Sequence, residues 1–133
     1  MLKKNNAQFA VEFVILMAFM FFVFLGFLAV IASKILESKE TERQKITEDI
    51  AIVAENEINL AKSATNGYSR NFNLPDKVKG NTYTIKIISN RELVVDYVDK
   101  EHILFLQENV VGNLNVGANL IKKDNGIVYI NPK

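Results

Sequence analysis

Few side chains in this 133-residue chain have the type and spacing to do chemistry. Glu12 is a lone carboxylate, and the next twenty-one residues, 13–33, carry no charge. Such a group is costly at the edge of an apolar helix unless it is paired or sits at a boundary with water. His102, the sole histidine, follows Glu101 and precedes an apolar strand. It has the chemistry of a general base, but its setting reads as a surface histidine at a strand edge. Asp96, Asp99 and Glu101 are close enough in sequence to suggest a hard-cation site. They lack the spacing of a calcium loop with its closing bidentate glutamate, and read instead as a solvated turn. There is no cysteine, so thiolate metal sites and disulfides are excluded. Neither a glycine-rich phosphate loop nor a nucleophile elbow occurs, nor an Asn-x-Ser/Thr sequon. No enzyme, cofactor or metal is expected.

What positions Glu12 is the apolar run itself. At about 1.5 Å per residue, residues 13–33 make about 30 Å of helix, enough to cross a hydrocarbon core. Phe13, Phe19, Phe21, Phe22, Phe24 and Phe27 leave no polar face, so the helix must be buried in lipid or in protein. Gly26, Ala29 and Ala32 form a narrow strip that would permit close helix approach. A cleaved secretory signal fits badly. Its apolar core would be shorter, and charged helix formers follow Ser33 where a cleavage site would lie. The formal net charge is +1, from 16 Lys+Arg and 15 Asp+Glu, which gives no basic face for nucleic acid.

The order Lys3, Lys4, then Ala7-Gln8, then Glu12 and an unbroken apolar helix resembles the class III signal peptide of archaeal type IV pilins and pilin-like proteins. The resemblance covers residues 3–33. It implies a leader of residues 1–7, with Lys3 and Lys4 as its basic residues. A prepilin peptidase would cut on the cytoplasmic side between Ala7 and Gln8, making Glu12 the fifth residue of the mature chain. Glu12 would then meet the N-terminal amine on Gln8 of a neighbouring subunit, setting axial register. Ala7 stands where glycine is more usual, and Phe9 and Ala10 replace a commoner small or hydroxyl pair. The implied function is a structural subunit, major or minor, of a surface filament with a role such as adhesion. Its partners would be the membrane, copies of itself or other pilins, the peptidase, and the assembly platform with its ATPase. It would reside in the cytoplasmic membrane as a single-pass protein before joining the filament. Counted alone, the basic residues put the C-terminal side inside, because Lys34, Lys39, Arg43 and Lys45 outnumber Lys3 and Lys4. The resemblance implies the opposite. The competing expectation is a single-span anchor whose extracytoplasmic β-domain binds a ligand and never polymerises.

Past the apolar segment (8–36), residues 37–64 read as an amphipathic stalk. Residues 37–45 form an exposed neck, where a bend is most expected. Ile46, Ile50, Val53, Ala54, Ile58 and Ala61 then recur at near 3.6-residue spacing, so one helix runs to about Ala64 and lays this stripe on a domain. Gly67 supplies the helix stop. Residues 65–80 read as a loop, pinned by Phe72 and Leu74 and broken by Pro75. From 81 to 133 the pattern has period two. Tyr83, Ile85 and Ile87 face in from one strand, and Leu93, Val95 and Tyr97 from the next, with a third at 102–107. Residues 90–92 and 99–101 read as turns. Residues 110–112 and 114–121 hold less regular strands. Asn125-Gly126 is a type I′ hairpin signal before a last strand at 127–130. Thirteen of the fifteen asparagines lie after Ala54, which suits polar loops. The expected class is α+β: a long helix, half hydrophobic and half amphipathic, packed on a small C-terminal antiparallel sheet. The run Phe72-Asn73-Leu74-Pro75, then Gly80-Asn81-Thr82-Tyr83-Thr84-Ile85-Lys86-Ile87 and a Leu93-Val94-Val95 strand, also looks like the β-domains of archaeal pilin-like proteins.

Overall fold

A computed structural model describes the backbone of residues 2–133 and the side chains of residues 7–133. The order is one helix and seven strands: α1 (Leu2–Ser63), β1 (Ser69–Leu74), β2 (Tyr83–Ile88), β3 (Glu92–Tyr97), β4 (Lys100–Phe105), β5 (Val110–Gly112), β6 (Gly117–Asp124) and β7 (Ile127–Ile130). The α+β arrangement is as expected, and it is compatible with a pilin-like fold. The chain divides into two compact units, a first that ends at Glu40 and a second of Thr41–Lys133.

In the first unit every large apolar side chain from Phe9 to Leu36 is 40% or more exposed, around the whole helix. The segment is long and apolar enough to cross a membrane, with a mean hydropathy of 3.0 over its best 18 residues, none of them buried within the chain.

In the second unit the helix turns amphipathic. Thr47, Ile50, Ala51, Ala54, Ile58 and Ala61 are buried, a stripe at three- and four-residue steps. Thr47 is tolerated inside because its Oγ1 donates to the Gln44 carbonyl at 2.7 Å. Two expectations change here. Val53 lies beside this stripe and is 49% exposed. Thr47 and Ala51, small enough for close approach, take the interior instead. The neck is also less free than expected, because Glu42 and Arg43 pair with Lys79 and Asp99 of the β-region.

The β-region forms two sheets rather than one: four strands in the order β1-β6-β7-β5, and three in the order β2-β3-β4. All neighbours are antiparallel except β5 and β7, which run parallel. Both sheets and the helix feed one core, in which Ile58, Leu74, Leu93, Val95, Leu106, Val110, Ile121 and Ile130 are buried almost completely. The period-two reading of β2 and β3 holds for Tyr83, Ile85, Leu93, Val95 and Tyr97, which are all buried; Ile87 is half-buried, and Val94, between Leu93 and Val95, is buried as well.

Residues 65–80, expected as a loop, contain β1. Pro75 ends that strand instead of preventing it, and the six residues before it pair along their whole length with β6, a partner far away in sequence. Lys100 and Glu101, expected in a turn, begin β4, because Val98 and Asp99 alone make the β3–β4 turn. Glu92 likewise opens β3. The strand expected at 114–121 is shifted to Gly117–Asp124. The Asn125-Gly126 hairpin stands, with φ of 48° and 79° joining Asp124 to Ile127.

Candidate functional site

At the start of the first unit, Gln8 and Glu12 lie one helical turn apart. The Gln8 Nε2 donates to Glu12 Oε1 at 3.2 Å, with both side chains exposed. Ala7 and Gln8 both lie within α1. Lys3 and Lys4, the basic residues expected in a leader, have side chains outside the described residues. At the other end of the apolar stretch, Lys34 and Glu37 pair at 2.7 Å, with both side chains well solvated. An exposed pair of this kind adds little stability.

The second unit is built to hold its helix firmly. Lys123, from β6, reaches the end of α1 and donates to the carbonyls of Lys62 and Ala64, the latter at 2.8 Å. A cation on the last carbonyls satisfies groups that the helix leaves unpaired and opposes the negative end of its dipole. Gly67 therefore does not act as the immediate helix stop. With φ of 91° it turns the chain so that its amide reaches the Lys123 carbonyl at 2.9 Å. Asn66 completes the tie, its Oδ1 accepting from the Gly126 amide at 2.9 Å.

Four asparagines hold the far end of the unit together. Asn113 Oδ1 accepts from the Ile87 amide at 2.6 Å, linking β2 to the segment after β5. Asn119, 3% exposed, accepts from the Asn115 amide and donates to the Asn115 and Gly117 carbonyls. Asn131 donates to Asn119 Oδ1 at 2.9 Å and to the Asn113 carbonyl at 3.0 Å, and accepts from the Leu120 amide at 2.8 Å. Every polar atom of the buried Asn119 side chain is satisfied, as a buried amide requires. The abundance of asparagine after Ala54 was the signal in the sequence. Its meaning depended on which carbonyls and amides the strands bring together.

The residues weighed as chemical candidates separate. His102 sits half-buried on β4 opposite Val95. Asp96 accepts from Thr84 Oγ1 at 3.1 Å and lies 3.6 Å from the Lys86 ammonium. Asp99 pairs with Arg43 at 3.0 Å, and Glu101 is exposed on β4. Among the described residues no group of three or more acidic or histidine side chains converges on a common point. Contact with Lys79 lowers the pKa of Glu42 and raises that of Lys79. Burial pushes the Tyr83 phenol above its ordinary range, with the nearby Asp76 charge adding to it, and its hydroxyl is buried without a partner.

Two apolar surfaces in the second unit are left uncovered. One is a groove of about 230 Å³ lined by Ile46, Asp49, Ile50, Val53, Leu74, Pro75 and Val78. The other is the outward face of β2-β3-β4. There Ile88, Ile103 and Phe105 are 40%, 46% and 71% exposed around a buried Val94. Compared with protein-family models, curated proteins and solved structures, the chain matches none of them.

Proposed function

We propose that this chain is a structural subunit of a filament of the type IV pilus kind, inserted in a membrane first and packed helix on helix afterwards. The reading rests on the resemblance of residues 3–33 to class III signal peptides. The observation that carries it is the apolar helix, exposed at every large side chain from Phe9 to Leu36. Among the described residues, none covers that surface. At 25 cal/mol or so for each Å² of apolar surface, its exposure to water is far too costly to persist, so lipid or other chains must cover it. A folded β-region follows directly, which suits a subunit that keeps its helix inside and its second unit outside.

In this account a peptidase removes residues 1–7 and leaves an ammonium group on Gln8. Glu12 then lies one turn from a free helix N-terminus. There a carboxylate is favoured by the helix dipole and by any ammonium within reach. When a second copy slides alongside, its Gln8 amine meets Glu12, and two charges that are costly in an apolar setting neutralise each other. The Gln8 side-chain amide, already on Glu12 Oε1, orients the carboxylate for that meeting.

The test is Glu12→Ala in the full chain, expressed in cells that assemble such filaments. Filament yield is expected to fall at least tenfold or so, in line with the loss of a buried charge partner. The variant should remain in the membrane with a folded second unit. Normal filaments from Glu12→Ala would reject the mechanism.

A further inference from the structure

We propose that the outward face of β2-β3-β4 docks into the groove between α1 and β1 on a second copy of this chain. This rests on the reading above, that copies gather side by side, and adds where their second units touch. Val53 is the starting observation. It belongs to the apolar stripe that the helix sequence lays down, yet the chain's own sheets leave it 49% exposed, on the rim of the groove. Ile46, Ile50, Val53, Leu74, Pro75 and Val78 make the lining almost wholly apolar. On the other surface Phe105 stands out at 71% exposed, in one row with Glu92 and Ile88 across the sheet. Ile103, the buried Val94 and Lys86, whose ammonium is held 3.6 Å from Asp96, form the next row. An exposed apolar cluster of this kind marks a contact surface.

The charges beside the two surfaces match. Asp49 lines the groove, and Lys45, one helical turn before it, stands beside Asp49 on the adjoining face of the helix. Arg91 and Glu92 stand beside Phe105, with the Arg91 carbonyl accepting from the Leu106 amide at 2.8 Å and Glu92 facing Phe105 across the ladder. Among the described residues, none of these four charges forms a side-chain ion pair. Arg91 meets Asp49, and Glu92 meets Lys45, when Phe105 enters the groove. The two surfaces share no residue, so the contact is head-to-tail. Repeated with a rotation that does not close, as a filament requires, it gives an open row of subunits.

The chain has no cysteine, which makes the contact directly testable. Full-length Val53→Cys/Phe105→Cys is oxidised in the native membrane or filament. A ladder of trimers and larger species is expected, whereas either single variant stops at dimers. Adding Asp49→Arg should cut the ladder about tenfold, and adding Arg91→Asp to that should restore it. A ladder without filaments would support the docking although the filament reading fails. Filaments with no ladder would overturn the docking and leave the filament reading standing. Absence of both, or crosslinks only to a different protein, would overturn the docking as well.

Discussion

The Cβ that Gly112 lacks would sit 1.9 Å from the carbonyl oxygen of Ile130. This is where β5 runs parallel to β7, and Gly112 takes a φ of 107° to make the approach. A side chain there meets rigid backbone and a conformation that L-residues avoid. Gly112→Ala is therefore expected to cost about 3–5 kcal/mol, by strain plus displacement of β7. Gly126→Ala, also at positive φ but with open space around it, should cost about 1 kcal/mol. Denaturant midpoints of the two full-length variants in detergent measure the difference. Equal, small losses would show that the β5–β7 approach is not tight.

Asn131→Asp keeps the shape and removes two donors. An oxygen then faces the Asn113 carbonyl and Asn119 Oδ1, where the amide now donates. The expected loss is about 2–4 kcal/mol, larger than for a typical surface change. It should appear with faster amide exchange at Leu120, which donates to Asn131 Oδ1. Unchanged exchange there would mean the network does not hold the C-terminal strand.

Val98 turns the β3–β4 hairpin with a φ of 58°, a strained value for a β-branched residue, and is 57% exposed. Asparagine tolerates this region and little burial is lost. Val98→Asn should raise stability by about 0.5–1 kcal/mol, read as an upward shift in thermal midpoint. A fall would show that Val98 makes a contact worth more than its strain.

Stability should fall on the alkaline side, and Tyr83 is one cause. Below its ordinary pKa of 10.0 both folded and unfolded chains keep the phenol protonated. Above 10.0 the unfolded chain releases the proton first, because burial raises the folded value, so unfolding gains with rising pH until the folded phenol ionises. Tyr83→Phe removes this contribution and a buried hydroxyl without a partner. Its stability should match or exceed the parent at pH 7, with a flatter decline above pH 10. Lys79, also raised, acts in the same direction above 10.5. Glu42, lowered, acts oppositely: its contribution is present above 4.5 and lost as pH falls through the depressed value. Both side chains are exposed to solvent, so their share is small.

How legible each part was depends on how local its cause is. The apolar helix, the Asn125-Gly126 turn and the inward residues of β2 and β3 follow from nearest neighbours and period, and were read correctly. Residues 69–74 form a strand only because β6 lies beside them, so a polar stretch before Pro75 read as a loop. The division into two sheets comes from the same long-range pairings, including β5 against β7. Val53 fits the helical period as well as Ala54 does. Only the placement of the sheets against the helix decides which is covered. Gln8 and Glu12 stand out in the sequence by their place before the apolar run. The hydrogen bond between their side chains within one chain does not, because the resemblance pairs Glu12 with the amine of a neighbouring subunit. The groove is not legible, because it joins α1 to β1 and the segment after it, which are distant in sequence.

The central claim is that the apolar helix is processed to leave lipid and pack with its copies. The mass of the polypeptide recovered from its native membrane tests this most directly. The account predicts a chain that starts at Gln8, lacking residues 1–7. A chain that still starts at Met1 and runs as a solitary membrane protein would contradict it.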